Sequence, residues 1–221
     1  MAKITTILFD NDGVLVHTER FIFELNQEVF ESLGITYTRE DFIQHTFLTG
    51  LGSSGWLKSK GYDSNIAEKF TAERDRKWKQ AELGNMTEPS APKVLSELAK
   101  TYDLCVVTNT RKEMFELSYK DSPIRDLLKT IIFREDYKEP KPSPDSYITA
   151  LKRMNASAGQ AIVVEDAPRG IEAAQRAGIR VVSILNPDFN TLDITKAEYH
   201  IQSLNELPVL LASLSGNSEN T

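Results

Sequence analysis

The sequence predicts an α/β protein in which a doubly wound parallel sheet carries an all-helical cap domain, inserted after the first strand. Two observations lead to this fold class. Beyond Pro89, short apolar strands alternate with helical stretches, which is the pattern of a parallel sheet covered by helices. Between the first strand and Pro89, in contrast, apolar residues recur at helical spacing.

The first strand is expected at Ile4 to Phe9, because a brief apolar run ends there at four turn-forming residues, Asp10 to Gly13. Apolar residues then recur along one helical face: Phe21, Leu25, Val29 and Leu33. Helix-compatible stretches follow at 56–60 and 67–83. The segment from Thr18 to about Met86 is therefore predicted to be helical throughout.

The rest of the chain supplies the other elements of the predicted sheet and its helices. Strands are expected at 104–107, 130–133, 161–164 and 181–185. Helices are expected at 91–100, 112–119, 144–154, 168–177 and 204–214. This order predicts a Rossmann-like core from residues 1–16 and 87–215 and a cap from residues 17–86, with hinges near 16–18 and 85–89. The tail 216–221 has no apolar side chain to bury and is expected to be mobile.

Composition excludes several classes of partner. A chain of 221 residues with 40% apolar content can bury a sizeable core. Its net charge of -6 argues against nucleic acid or an anionic membrane as the main partner. Cys105 is the only cysteine, so no internal disulfide can form, and no apolar run is long enough to cross a bilayer. We expect a cytoplasmic protein that is a monomer or a weak dimer.

Asp10 and Asp12 are the first candidate catalytic residues. They follow a strand two positions apart, which in an extended chain directs both side chains the same way with about 7 Å between them. One carboxylate could attack phosphorus while the other serves the leaving oxygen and then water. Gly13 would let the backbone pass close to the bound anion. Taken alone, the same residues are also typical of a simple turn.

Two further candidates follow later strands. Thr108 and Asn109 come at the start of a helix, where they could bind phosphate or could simply cap the helix. Lys141 lies between Pro140 and Pro142, and this stiff segment could present its ammonium to phosphate or to the nucleophile. A lysine exposed to solvent is the alternative interpretation.

Glu165 and Asp166 follow another predicted strand, ahead of Pro168 in a first helical turn. Two acids beside Asp10 and Asp12 would repel one another unless a cation lay among them. The cluster predicts magnesium, bound by Asp10, the main-chain carbonyl of Asp12 and Asp166. Glu165 is a candidate ligand or supporting group, and acids that stabilise a helix N-terminus are the alternative.

Four segments together resemble the motifs of the haloacid dehalogenase-like hydrolase superfamily. They read DNDGVL at 10–15, VTN at 107–109, KPSPD at 141–145 and VEDAPRGIEAA at 164–174. The resemblance implies that Asp10 is the nucleophile and Asp12 the general acid and base. It also implies that Thr108 and Lys141 stabilise phosphate and intermediate, and that Asp166 binds magnesium.

The helical insert resembles the cap of the branch that contains β-phosphoglucomutase and many sugar-phosphate phosphatases. This likeness implies a magnesium-dependent phosphatase that acts through an aspartyl-phosphate intermediate. Its expected substrate is a small phosphorylated metabolite, a phosphomonoester such as a sugar phosphate. A mutase would have a histidine at the position of Ile22, and dehalogenases lack the second acid, Asp12. His17 stands where relatives usually have aspartate; it could tune cap closure, touch substrate, or have no special role.

Two other functions stay open as alternatives. A phosphoryl transferase of the β-phosphoglucomutase type would use the same acids. A phosphorylatable signalling or binding module would also place acids, a threonine and a lysine on a parallel sheet, but it would have no helical insert and no Glu-Asp pair after the lysine. In the cap, Arg20, Trp56, Lys58 and Lys60 could contact a sugar or belong to core, hinge or surface.

Overall fold

The structure is a computed structural model, and it describes residues 2–81, 86–119 and 122–216. Within these ranges six strands form one sheet. They are β1 (Thr6–Phe9), β2 (Asp103–Val107), β3 (Thr130–Ile132), β4 (Ala161–Glu165), β5 (Arg180–Ile184) and β6 (Tyr199–Ile201). Every pairing is parallel and the spatial order is β3-β2-β1-β4-β5-β6, which confirms the predicted doubly wound sheet.

The last strand, β6, is absent from the sequence-based prediction. It has only three residues, of which His200 is exposed and Tyr199 half-buried, so it lacks the apolar run that signals a buried strand. Its pairing with β5 depends on tertiary contact and not on local pattern.

Nine helices surround or extend this sheet in the described part of the chain. They are α1 (Glu19–Ser32), α2 (Arg39–Ile43), α3 (Gly52–Ser59), α4 (Ser64–Gln80), α5 (Ala91–Leu98), α6 (Lys112–Ser118), α7 (Asp145–Met154), α8 (Pro168–Arg176) and α9 (Leu207–Gly216). Helices α1 to α4, with a π-helical turn at Gln44–Leu48, form the insert after β1, which we call the cap. The insert is thus helical, as predicted.

The sheet is buried on both faces, as its near-continuous apolar strands require. Side chains of one strand alternate between faces: Ile7 and Phe9 pack into one apolar cluster, and Leu8 into the other. Cys105 lies fully buried in the second cluster. The cap has its own core of aromatic rings, in which Phe30 stacks on Phe70 with ring centroids 4.1 Å apart.

The two connections between core and cap lie side by side. His17 N–H donates to the Met86 carbonyl at 2.9 Å, and Glu88 N–H donates to the Leu15 carbonyl at 2.9 Å. The boundaries 17–86 for the cap and 1–16 with 87–215 for the core stay predictions. The hinge residue Asn85 and the predicted tail beyond Gly216 lie outside the described residues. Among the described residues, no helix is both long and apolar enough to span a membrane.

Candidate active site

Four loops that are remote in sequence meet at one edge of the sheet. In the parallel register, Phe9 lies beside both Val106 and Val164, so the residues that follow β1, β2 and β4 leave the sheet together. A cleft of about 390 Å³ opens there beneath the cap. It is lined from the core by Asp10, Asp12, Thr108, Asn109, Glu165 and Asp166, which are six of the eight predicted or candidate residues.

Lys141 is as deeply buried as the acids Glu165 and Asp166, with 1% of its surface exposed. Its ammonium donates to Asp10 Oδ1 at 2.6 Å, to Glu165 Oε1 at 2.8 Å and to the Val107 carbonyl at 2.9 Å. All three donor directions of the ammonium are therefore used. The interpretation of Lys141 as an exposed lysine is wrong, and the predicted pairing with Asp10 is present.

Charge and burial change the acidity of this group of residues. Burial raises the pKa of Asp10 to about 7; Glu165 and Asp12 act in the same direction, and Lys141 opposes them. Burial alone would lower the pKa of Lys141, but the Asp10 and Glu165 carboxylates raise it well above its ordinary value. Without a further cation, the site holds more negative charge than its one lysine can neutralise.

Glu165 uses both of its oxygens within the protein. Oε1 accepts from Lys141 and from the Tyr147 hydroxyl at 3.2 Å, and Oε2 accepts the backbone N–H groups of Asp166 and Ala167 at 3.0 Å each. A Cβ at Gly170 would lie 1.6 Å from Oε1, so only glycine leaves room for this carboxylate. Glu165 therefore fixes both the lysine and the turn that carries Asp166.

Asp166 has one oxygen occupied and one free among the described residues. Its Oδ2 accepts from the Asn186 amide at 2.7 Å, whereas Oδ1 is buried without a hydrogen-bond partner. Burial raises the pKa of Asp166 well above its ordinary value, and Glu165 and Asp10 add to that rise. An unpartnered buried carboxylate oxygen is costly, and a bound cation would remove the cost.

The acids lie close enough to share such a cation. Asp10, Glu165 and Asp166 each offer a carboxylate oxygen, and these oxygens lie within 4.8 Å of one another. Three carboxylates and one ammonium leave two negative charges, which equal the charge of one divalent ion. Hard oxygen ligands of this kind suit magnesium.

The carboxylate of Asp12 is held by hydroxyl groups. Thr18 donates to its Oδ1 through a short contact, and Thr110 donates to its Oδ2 at 2.8 Å. The Thr108 hydroxyl lies 3.4 Å from the same oxygen and accepts the Thr110 backbone N–H at 2.9 Å. These contacts fix the carboxylate of Asp12 in the lining of the cleft.

Sequence reasoning assigned no site role to Thr18, Thr110, Glu19 and Asn186. Asn186 follows β5, and its amide also donates to Glu19 Oε1 at 3.1 Å. Gly13, at φ +81, lies against the side chains of Glu19 and Asp166. A Cβ at this position would lie 2.1 Å from a carboxylate oxygen of each. The glycine thus makes room for buried carboxylates, which is a different reason from the predicted close approach to an anion.

Asn109 lines the cleft, but its side-chain oxygen accepts hydrogen bonds from other residues of the protein. It accepts from the Tyr137 hydroxyl at 2.7 Å and from the Lys141 backbone N–H at 3.3 Å, and so it ties the lysine loop to the end of β2. The capping interpretation fails for this pair, because α6 begins only at Lys112, and no side-chain cap from Arg111 is present there.

Several residues singled out from the sequence lie elsewhere. His17 is half-buried at the connection to the cap and does not line the cleft. Trp56 is buried in the cap core and donates to Asp41 at 3.2 Å, with Lys60 over its ring. Arg20 pairs with Glu24 at the surface, and Lys58 lines a separate groove of the cap. The suggested sugar contacts of these cap residues are therefore not supported.

Comparison with known proteins identifies relatives. The model of the haloacid dehalogenase-like hydrolase family matches residues 7–184. A validoxylamine A 7'-phosphate phosphatase from Streptomyces hygroscopicus subsp. limoneus is 31% identical over 184 residues, covering 80% of the chain and 84% of that protein. The (DL)-glycerol-3-phosphatase 1, mitochondrial, of Arabidopsis thaliana is 28% identical over 194 residues, covering 82% of the chain.

The chain spans only part of two relatives from Arabidopsis thaliana. It covers 64% of that glycerol-3-phosphatase and 18% of Protein SUPPRESSOR OF QUENCHING 1, chloroplastic, to which it is 27% identical over 191 residues. Among solved structures, β-phosphoglucomutase from Clostridium difficile has a TM-score of 0.78 at 18% identity and covers 98% of each chain. This structural likeness shows the shared fold. With the family model matching most of its length, the chain belongs to the haloacid dehalogenase-like hydrolase family.

Proposed function

We propose that the chain is a magnesium-dependent phosphatase that hydrolyses a small phosphomonoester of the sugar-phosphate type through a phosphoryl intermediate on Asp10. The observation that carries this proposal is that the Asp10 carboxylate contacts the Lys141 ammonium and also lies close to Asp166. The Oδ1 atom of Asp166 has no hydrogen-bond partner among the described residues. The named phosphatases among the relatives support the same reaction class.

The residues present fit a magnesium ion. Asp10, Asp166 and the main-chain carbonyl of Asp12 would hold the ion. Glu165 would position Lys141 and Asp166 without binding the ion, because its oxygens already accept four hydrogen bonds. Bound there, the ion supplies positive charge that offsets the phosphate oxygens and the clustered acids. Lys141, with Thr108 and Asn109, would complete the phosphate site.

The chemistry divides between the two aspartates. The Asp10 carboxylate attacks phosphorus, and the bond from phosphorus to the leaving oxygen breaks as Asp12 donates a proton to that oxygen. Asp12 then accepts a proton from water, whose oxygen attacks phosphorus and releases inorganic phosphate and free Asp10. The hydroxyls of Thr18 and Thr110 hold Asp12 in one orientation for both steps.

The same arrangement favours hydrolysis over phosphoryl transfer between sugars. Ile22 lines the cleft at the position where a mutase of this branch would present a histidine. An apolar side chain there offers no proton donor or acceptor to a second substrate hydroxyl. The cap, predicted as residues 17–86, would exclude bulk water when it closes.

A phosphate-release screen over sugar phosphates, nucleotides and short phosphorylated acids tests the proposal. We expect release that requires magnesium, stops with chelator and is lost in Asp10→Asn. Asp103→Asn makes the same chemical change at the other end of β2, where Asp103 pairs with Lys129 at the surface, and it should keep full activity. Full turnover by Asp10→Asn would rule the proposal out.

A further inference from the structure

A short turn that follows β5 joins the acid cluster of the cleft to the cap. We call residues 186–189 the β5 turn. The Phe189 N–H donates to the Asn186 carbonyl at 3.2 Å. The Asp188 N–H donates to the Asn186 side-chain oxygen at 3.1 Å. These two hydrogen bonds tie the position of the Asn186 side chain to that of Asp188 and Phe189.

At one end of the β5 turn, the buried side chain of Asn186 bridges two carboxylates. Its N–H₂ group donates to Asp166 Oδ2 at 2.7 Å and to Glu19 Oε1 at 3.1 Å. Asp166 directly follows β4, whereas Glu19 is the first residue of the cap helix α1. Because Asn186 occupies Oδ2, Asp166 keeps Oδ1, which has no partner among the described residues, for a cation.

At the other end of the β5 turn, Phe189 is buried in the apolar cluster of the cap, with 2% of its surface exposed. Its ring centroid lies 4.7 Å from that of Phe47 and 5.5 Å from that of Phe42, and both of these cap residues line the cleft. Ala167, the neighbour of Asp166, belongs to the same cluster. Side chains that follow β4 and β5 therefore complete the apolar core of the cap.

Arg39 of the cap helix α2 holds the β5 turn from the outer side. Its guanidinium donates to the Asp188 carbonyl and lies 4.4 Å from the centroid of the Phe189 ring. Arg39 is exposed and does not line the cleft. The cap thus contacts both the backbone and the ring of the turn at a position outside the cleft.

A continuous series of direct contacts therefore runs from Arg39 through the β5 turn and Asn186 to Asp166. A change in the position of the cap would act on Phe189 and on the Asp188 carbonyl, and through them on the Asn186 amide. Without that amide, the Asp166 and Glu19 carboxylates would lose their shared hydrogen-bond donor and repel each other. The orientation of Asp166 would then no longer be fixed.

We infer that the β5 turn couples the position of the cap to the orientation of Asp166, with Asn186 and Arg39 as positioning residues of the magnesium site. The inference rests on the proposed function, because it concerns the cation that this function requires. It adds a means by which contacts of the cap, made outside the cleft, set the affinity for that cation. Such coupling is reciprocal, so a bound cation would in turn stabilise the contacts of Arg39 and Phe189.

Titration calorimetry of the full chain with magnesium chloride, in the absence of any phosphoester, tests the inference. Asn186→Ala should raise the Kd for magnesium about tenfold or more, which is the usual effect of removing a residue that orients a metal ligand. Arg39→Met should raise this Kd by about twofold to tenfold, although Arg39 is exposed. The double variant should have the Kd of Asn186→Ala, because the effect of Arg39 passes through Asn186.

Arg20→Met is the matched control, because Arg20 is also an exposed arginine of the cap but donates to Glu24 within α1. It should leave the Kd for magnesium unchanged, and circular dichroism would verify that every variant is folded. A wild-type Kd in folded Arg39→Met, or effects of the two substitutions that simply add, would overturn the inference. If magnesium-dependent release of phosphate persisted beside such a result, the inference alone would fail. If the wild-type protein bound no magnesium, the proposed function would fail and the inference with it.

Discussion

The two sides of the cleft are built from different interactions. On the core side, Asp10, Lys141, Glu165 and Asp166 form one buried charged network in which almost every polar atom has a partner. On the cap side, aromatic, aliphatic and glycine residues such as Phe42, Phe47 and Gly50 predominate, beside Thr46 and the buried carboxylate of Glu19. We therefore expect the chemistry to depend on the core side and the choice of leaving group to depend on the cap side.

This comparison predicts that core-side changes reduce turnover of every substrate, whereas cap-side changes alter the ratio between substrates. The structure offers matched pairs of residues for testing that difference, because side chains of the same type occur in both settings.

The largest effect is expected from Lys141→Met. Removing the ammonium leaves Asp10 and Glu165 buried without their cation, which should cost about 3 kcal/mol or more of unfolding free energy. Loss of its charge at the phosphate site should lower kcat by about 10²- to 10³-fold for all phosphoesters. Chemical denaturation and steady-state kinetics measure the two effects, and unchanged kcat in a folded variant would contradict the assigned role.

Asp12→Asn should come next. We expect kcat for alkyl phosphates to fall at least about 10²-fold, because the leaving oxygen loses its proton donor and water loses its base. The variant should still bind magnesium, as measured by its stabilisation against heat. If kcat for alkyl phosphates stayed at the wild-type value, Asp12 would not be the acid and base.

Magnesium binding should depend on pH in a way set by the raised pKa of Asp10. The pKa of Asp10 is raised from 3.8 to about 7, so the metal-free folded protein favours the protonated carboxyl. The folded state therefore loses stability as pH rises from about 4 to about 7. Magnesium competes with protons on Asp10 and Asp166, so its apparent affinity should rise by about tenfold or more per pH unit toward pH 7. Titration calorimetry at several pH values checks this, and a constant affinity would contradict the buried acid cluster.

The smallest effect is expected from Lys79→Met, which mirrors the change at Lys141. Lys79 of α4 also pairs with a glutamate, Glu113 at 2.5 Å, but both side chains are about half exposed. Such a pair contributes roughly 0 to 1 kcal/mol. Chemical denaturation should show that the free energy of unfolding falls by an amount in that range, with kcat nearly unchanged. If the free energy of unfolding fell as much as in Lys141→Met, burial would not explain the difference between the two lysines.

Local pattern was sufficient for five of the six strands of the sheet and for much of the candidate site. Asp10, Asp166 and the loop of Lys141 follow or flank recognisable elements, and the parallel register brings them together. Asn186 and Glu19 could not be found in this way, because their contact joins positions 167 residues apart and neither has a distinctive neighbourhood. Trp56 was misleading, since a tryptophan followed by Lys58 and Lys60 could contact a sugar, but here it completes an aromatic core.

The most direct test of the central claim is to trap the phosphoryl group on Asp10. With p-nitrophenyl phosphate, whose leaving group needs little protonation, Asp12→Asn should still form the intermediate but hydrolyse it slowly. We predict a burst of one nitrophenolate per protein molecule and, after an acid quench, a peptide containing Asp10 heavier by one phosphoryl group. A protein that releases nitrophenolate with no burst and no label on that peptide, in wild type and variant alike, would contradict nucleophilic attack by Asp10.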